Sequence, residues 1–430
     1  MQDQIRPGMN VRRLVTLIAF ILLALIMVRQ AYMLLANART NGDIGEDFKY
    51  YYTAAWIVRG HSSQAIYSGI RKDADPTEDG SDPNSIYAQT ASAHGVTEIF
   101  SYVYPPTLAD LLVPFTFLSI STALYAWWVL NIAALVGAGI LFVRTPGLEL
   151  SGYVAPFIVF LIVSAPTVDC LKCGQVPILL LFLVACGISL YARGNKYSAG
   201  LFFALAAAIK LTPLIVLIPL IAWGDWKGLR AIALWCGVIT GILLAVNGWG
   251  TLDLYFFHVL PSLGNRYIEI ESRTLNTVVR VLWSRSETGF AAPGAVWAGK
   301  LLSALVICFA GWLSYIRHEN SRRGGVRVQA IAIFLFLSCC VAPVSWRHAY
   351  VLASPALLIL FKRAWEGQST TFEVTMLVTF IFALTTNRYL QQPFLTPLAG
   401  TALCLLALYR LRGTRPLVRA WPGHTDVPAN

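Results

Sequence analysis

Apolar runs long enough to cross a bilayer recur through almost the whole of this chain, and that recurrence limits the fold before any motif is read. A helix needs about 20 apolar residues to cross the hydrocarbon, and shorter ones are tolerated in bundles. Twelve runs qualify, some of them short: residues 14–36, 120–143, 152–166, 176–192, 197–209, 212–224, 229–247, 297–316, 328–343, 349–362, 371–386 and 394–410. With 13% charged residues and a mean hydropathy of +0.61, the chain lacks the charge to cover soluble domains of this length. The expected class is an all-α polytopic membrane protein, a single domain over residues 1–430 with about 12 transmembrane helices.

The formal charge of +11 invites a nucleic-acid reading. The Lys and Arg residues, however, stand in short clusters between apolar runs, where membrane proteins keep them, so no nucleic-acid partner is expected. With the N-terminus inside, eighteen of them, from Arg6, Arg12 and Arg13 to Arg415 and Arg419, fall in cytoplasmic segments. Only Lys172, Lys210, Arg347 and Arg388 occupy the short outer turns. This asymmetry places both termini in the cytoplasm of a bacterial plasma (inner) membrane. The run 14–36 is longer than a signal-peptide core and has no clean cleavage site after it, so it is read as a retained span.

Two long outer loops result, 37–119 and 248–296, and long connections in compact proteins are more often functional than idle. The first carries Asp43, Glu46 and Asp47, then an aromatic stretch in which Phe48, Tyr51, Tyr52, Ala55 and Trp56 share one helical face. Such a face suits the headgroup layer, so an interfacial helix lying on the outer leaflet is expected. Residues 71–84 read as a mobile polar stretch, and 107–118 as a dipping or surface helix behind Pro105 and Pro106. The tail, 411–430, is expected to be cytoplasmic and disordered.

Charges held near apolar helix ends are costly and merit a functional hypothesis. Asp47, just beyond the first span, is placed to take a proton from a hydroxyl; a solvated acid or a helix N-cap is the plainer reading. Lys210, in the tight turn Ile209-Lys210-Leu211-Thr212-Pro213, suits an anion such as phosphate, or snorkels to the headgroups. Arg347 and His348 form a second outer turn able to hold a phosphate, with Trp346 as an interface anchor. Asp169, Lys172 and Gln175 make a third, in which Asp169 and Lys172 read as a local ion pair. Arg273 and Asn276 are polar candidates for substrate in the second long loop. Cys170 and Cys173 form a lone CxxC, read as a small-residue turn with a disulfide as the alternative. No Walker A loop, dinucleotide fingerprint or HExxH occurs.

Taken in order, these residues resemble glycosyltransferase family 87. The resemblance rests on Asp47-Phe48 with Tyr50-Tyr51 and Ala54-Ala55, Gly60, Ile66-Tyr67, Tyr104-Pro105-Pro106, Gly174-Gln175, Ile209 to Pro213, and Ser345-Trp346 with His348. It runs from about Asp47 to Tyr350, with Arg347 in the place of the first of the family's paired histidines. The resemblance implies a GT-C-type bundle and a polyprenyl-phosphate sugar, with mannose as the hexose, for donor. It implies Asp47 as catalytic base, with Lys210, Arg347 and His348 near the donor phosphate. Tyr51, Tyr104, Gln175, Arg273 and Asn276 are then expected to bind substrate. The expected reaction moves a hexose to a lipid or glycan hydroxyl on the outer face, by inverting single displacement, with no metal or other cofactor. A secondary transporter or lipid flippase is the alternative, although such proteins hold their polar sites at mid-membrane. An O-antigen ligase or polymerase with a pyrophosphate donor is a third reading.

Overall fold

The computed structural model describes residues 44–60, 62–70, 82–96, 100–148, 150, 160–263, 272–284, 291–315, 324–385 and 394–413, with isolated positions between 21 and 36. The expected span 14–36, most of the 71–84 stretch and the tail beyond 413 therefore lie outside the described residues or nearly so. Among the described residues the chain is helix and loop throughout, without a strand.

The helices are α1 (Glu46–Gly60), α2 (Ile86–Ala93), α3 (Pro106–Leu112), α4 (Ile120–Arg144), α5 (Ala165–Cys173), α6 (Pro177–Ala192), α7 (Lys196–Ile209) and α8 (Leu217–Ala222). There follow α9 (Trp226–Asp253), α10 (Leu275–Ser284), α11 (Pro293–Tyr315), α12 (Gly324–Val341), α13 (Ser354–Trp365), α14 (Thr371–Thr385) and α15 (Leu395–Gly413). Three are long and apolar enough to cross a membrane by themselves: α4, α11, and α9 with its continuation to Ser262. Others, such as α6 and α7, are shorter apolar helices within the bundle. The chain is an integral membrane protein.

Each helix can be oriented by what its ends touch. Trp127 and Trp128, early in α4, donate to the carbonyls of Gly174 and Leu171, so this end of α4 lies beside the α5–α6 turn. α6 leads away from that turn, and α7 returns over 14 residues, about 20 Å, to deliver Lys210 at the same end. α12 starts at the far end, where Gln329 donates to Gly147, and finishes just before Ser345. α13 leaves again, and its Arg363 meets Gln329. One end of the bundle thus collects Asp47, Gln175, Lys210, Arg347 and His348. The other collects Arg144, Lys196, Arg363 and Arg410.

α12 is the axis. Nearly every side chain from Val328 to Val341 is buried, and a helix that is apolar all round belongs at the centre of its bundle. α7 closes tightly on α9 because Gly200 faces Ala231, where a Cβ would come within 2.7 Å of backbone. At the far end Asp225 caps α9 through the Gly228 amide and accepts hydrogen bonds from Tyr191 at 2.7 Å and Lys196 at 2.5 Å.

Three boundaries differ from the sequence reading. The run 212–224 is split into a 3₁₀ turn, Thr212–Val216, and the short α8, because Pro213 and Pro219 interrupt regular bonding. The run 349–362 begins with the 3₁₀ turn Arg347–Ala353 before α13. The second outer loop is helical at its start: α9 passes Gly248, whose φ of 76° breaks its direction, and ends as a π turn, Leu254–Val259.

The largest correction concerns α1. Its aromatic face does not present itself to the headgroups: Phe48, Tyr51, Tyr52 and Ala55 are all buried. Phe48 stacks on Trp127 at 5.9 Å and meets Phe115 edge-on. Aromatic spacing along a helix signals a buried face, and the protein here fills the place that lipid was expected to take. Residues 106–117 are helical, as α3 and a 3₁₀ turn, and they form one wall against α1.

Gly174 sits at the centre of this junction. It ends α5 in the left-handed conformation, φ 72°, and a Cβ there would lie 2.7 Å from the Phe48 Cβ. Gly174→Ala is expected to cost about 1–3 kcal/mol from backbone conformation alone. Thermal unfolding of the purified protein in detergent should show a clear drop; an unchanged midpoint would contradict the close approach of α1.

Candidate active site

Asp47 lies in the first turn of α1, where the exposed N–H groups of a helix start favour a carboxylate. Its side chain is partly exposed but ringed by protein. Burial raises its pKa to about 7, helped by Glu46 and Asp169; the Gln175 hydrogen bond and Lys210 act the other way. A carboxyl group that titrates near neutrality is suited to taking up a proton during turnover.

Gln175 fixes the surroundings of this carboxylate. Its Oε1 accepts hydrogen bonds from the Tyr51 hydroxyl at 2.7 Å and the Tyr104 hydroxyl at 3.1 Å. The acceptor end being doubly occupied, the amide Nε2–H group is left for Asp47. Three separate segments are joined at one residue: α1, the Tyr104-Pro105-Pro106 corner and the α5–α6 turn. The two tyrosine rings meet edge-on at 5.0 Å, and the Lys210 Nζ stands 5.4 Å from the Tyr104 ring centroid.

Lys210 takes no ion pair among the described residues. Burial lowers its pKa, partly offset by Cys339 and Asp47. A void of about 10 Å³ opens beside it, lined by Thr212, Ser338, Cys339, Ser345 and Ala349 among others. The buried hydroxyls of Thr212 and Ser345 have no hydrogen-bond partner among the described residues. Sequence reading passed over both, although each stands inside a motif already singled out; the residue types carried no charge to draw attention.

Arg347 is held differently from what the turn suggested. Its guanidinium donates to Asp169 at 2.8 Å, an ion pair between α5 and the turn after α12. The sequence pairs Asp169 with the nearby Lys172, whereas its bonded contact is with Arg347 across the site. Burial would raise the Asp169 pKa, yet Arg347 overrides this and lowers it. His348 is buried, its pKa pushed down to about 3 by burial and by the charges of Lys210 and Arg347, with Asp169 opposing. It is therefore a neutral imidazole near pH 7. Its Nε2 has no partner among the described residues, which leaves it able to serve a ligand as a neutral group.

Arg273 and Asn276 brace the structure. The Arg273 side chain donates to the Ala383 carbonyl at 2.7 Å, and its own carbonyl accepts from Tyr350 at 2.5 Å. The Asn276 amide donates to Ser303 and to the carbonyls of Val341 and Ala342, with the residue only 2% exposed. The Arg273 N–H holds the Ser345 carbonyl, and Asn276 ties down the end of α12 at Val341 and Ala342. Cys170 and Cys173 are free thiols, with Cys170 turned to the Gln175 carbonyl at 3.3 Å.

A family model described as Glycosyltransferase family 87 matches residues 102–343. The chain belongs to glycosyltransferase family 87. It is 25% identical over 295 residues to a polyprenol-phosphate-mannose-dependent alpha-(1-2)-phosphatidylinositol mannoside mannosyltransferase of Mycobacterium tuberculosis, covering 64% of this chain. It is also 25% identical over 263 residues, 60% of this chain, to the corresponding pentamannoside mannosyltransferase of Mycolicibacterium smegmatis. The chain spans 65% and 60% of the lengths of these two relatives. A crystal structure of ArnT from Cupriavidus metallidurans bound to undecaprenyl phosphate is similar at 14% identity and a TM-score of 0.36, over 92% of this chain and 75% of that one. The family 87 match includes Tyr104, Gln175 and Lys210; Asp47 precedes it and His348 follows it.

Replacing Gln175 by Leu should orphan two buried tyrosine hydroxyls, at about 1–3 kcal/mol each. It also removes a hydrogen bond that lowers the Asp47 pKa. Thermal unfolding should therefore shift down and any pH midpoint due to Asp47 should move above 7. No change in either would show that Gln175 is not the tie.

Proposed function

We propose that the chain is a polyprenyl-phosphate-sugar-dependent glycosyltransferase that moves a hexose, mannose in our reading, to a hydroxyl of a lipid or glycan acceptor. The observation that carries the reading is Asp47: a carboxyl group of pKa about 7, in a family 87 chain, beside a lysine that has no ion-pair partner among the described residues. The relatives' printed names, which specify polyprenol-phosphate-mannose and phosphatidylinositol mannosides, support the sugar and a lipid-borne acceptor.

The chemistry follows from the charges. The acceptor hydroxyl attacks the anomeric carbon while its proton passes to Asp47. The bond from that carbon to the phosphate oxygen breaks, its electron pair leaving with the polyprenyl phosphate. Configuration at the sugar inverts in a single displacement. Lys210 counters the negative charge that grows on the leaving phosphate, and a cation of lowered hydration does this more strongly than one in water. Arg347, neutralised by Asp169, orients the turn and contributes hydrogen bonds, with His348 a neutral donor. Tyr51 and Gln175 hold Asp47 in place. In our reading the site end faces the periplasm and the Arg144, Arg363 and Arg410 end faces the cytoplasm of a plasma membrane, in line with the excess of basic residues there. The gathering of polar groups at one end of the bundle, away from its middle, favours transfer over transport.

Two outcomes test this with purified protein, a polyprenyl-phosphate-mannose donor and a lipid acceptor. Asp47→Asn should lower transfer by at least about a hundredfold, the usual scale for losing a general base, and leave donor binding intact; unchanged transfer would remove Asp47 from the reaction. In the intact protein the raised pKa means that Asp47 is largely protonated below 7 and ionised above. Transfer should rise with pH through about 7 and level off beyond it. A rate that is flat from pH 5 to 8 would contradict the assignment of the base.

A further inference from the structure

Several buried Ser and Thr hydroxyls in this bundle donate to a carbonyl three or four residues back. Thr53, Ser338, Ser354 and Thr385 all do so. Thr212 and Ser345 do not: they are two of eight buried Ser or Thr hydroxyls without a partner among the described residues, and they are the two of that group that line the small void beside Lys210. The neighbouring polar groups are already committed. The Ser338 hydroxyl donates to Leu335, and the Cys339 thiol lies against the carbonyls of Leu335 and Ala349. Pro177, Leu180 and Leu352 supply apolar walls.

The void measures about 10 Å³, room for about one oxygen of water size. A water molecule there would answer two hydroxyls but not the lysine charge. Two neutral O–H donors and one ammonium converging on a single-oxygen space form the donor set for an anionic oxygen. Both hydroxyls stand outside regular α-helix, since Thr212 opens a 3₁₀ turn and Ser345 lies in the stretch before another. The Ser345 backbone is pinned at both polar groups: its N–H donates to the Ser272 hydroxyl oxygen, and its carbonyl accepts from the Arg273 N–H.

We propose that this void seats one non-bridging oxygen of the donor's phosphate, with Lys210, Thr212 and Ser345 as its three hydrogen-bond donors. The proposal rests on the glycosyltransferase reading and names the residues that would make the leaving phosphate stable. As the sugar departs, the phosphate passes from a singly charged diester to a doubly charged monoester, and donors fixed in advance bind the second form more tightly. Thr212 and Ser345 thereby stabilise charge on a non-bridging oxygen of the leaving phosphate, while the proton of the acceptor goes to Asp47 on the other side of the sugar.

The test uses the full chain in nanodiscs and undecaprenyl monophosphate as the probe. Thr212→Val and Ser345→Ala should each weaken binding about tenfold, as expected for a hydrogen bond to a charged group. Thr212→Ser, which keeps the hydroxyl, should bind like the unaltered protein. Acceptor KM should not move, and thermal unfolding should not fall, because neither hydroxyl has a protein partner to lose; a merely structural role would show up there first. Equal affinity in Thr212→Val, or no binding by the unaltered chain, would overturn the seat. Displacement of the lipid by an equal concentration of inorganic phosphate would overturn its assignment to a lipid headgroup. Thr212-dependent binding by a chain that consumes no polyprenyl-phosphate sugar would support the seat and overturn the transferase reading instead.

Discussion

The Gln175 side chain is the joint at which the site is assembled. One amide oxygen accepts from Tyr51 on α1 and from Tyr104 at the corner before α3, and the same amide reaches Asp47. Each of these segments is short, and none could fix a carboxylate by itself. Gly174 allows the approach, since a side chain there would collide with Phe48. Trp127 then locks α4 onto the Gly174 carbonyl at 2.8 Å, so a transmembrane helix is tied to the same point. Buried polar ties of this kind are costly when half satisfied and specify one geometry when complete.

The charges of the site are divided between two tasks. Asp169 and Arg347 neutralise each other at 2.8 Å and join α5 to the turn after α12. Asp47 and Lys210 stay apart, more weakly coupled, each shifted toward its neutral form by burial. Desolvation makes both groups responsive: a carboxyl near pKa 7 can take a proton, and a poorly hydrated ammonium gains from meeting an anion. His348 completes the pattern as a buried neutral ring. Positive charge is thus concentrated where Lys210 stands, since Arg347 is paired with Asp169 and His348 is neutral.

Much of this was legible in the sequence, because membrane insertion imposes simple rules. The apolar runs gave an all-helical membrane protein, and Asp47, Lys210, Gln175 and Tyr104 were each singled out and prove to be neighbours. What escaped was three-dimensional pairing. Asp169 and Arg347 are 178 positions apart, so the nearer Lys172 looked like the partner. The aromatic face of α1 carried the same spacing whether it met lipid or protein, and only the presence of α3 and α4 decides for protein. Arg273 and Asn276 were polar residues in a long loop, but their side chains are occupied with the backbone of Ala383, Val341 and Ala342. Thr212 and Ser345 gave no signal because the absence of a hydrogen-bond partner is visible only in a folded chain.

The account depends on Asp47 being a desolvated carboxyl group that senses Lys210. Isotope-edited infrared titration of the protein, with Asp47→Asn as the reference that removes its carboxyl band, reads this group without any substrate. The band should titrate near pH 7, and Lys210→Met should move it higher, because the lysine charge favours the ionised form. A band that titrates near 4, as a carboxyl group in water does, or one indifferent to Lys210, would contradict the account.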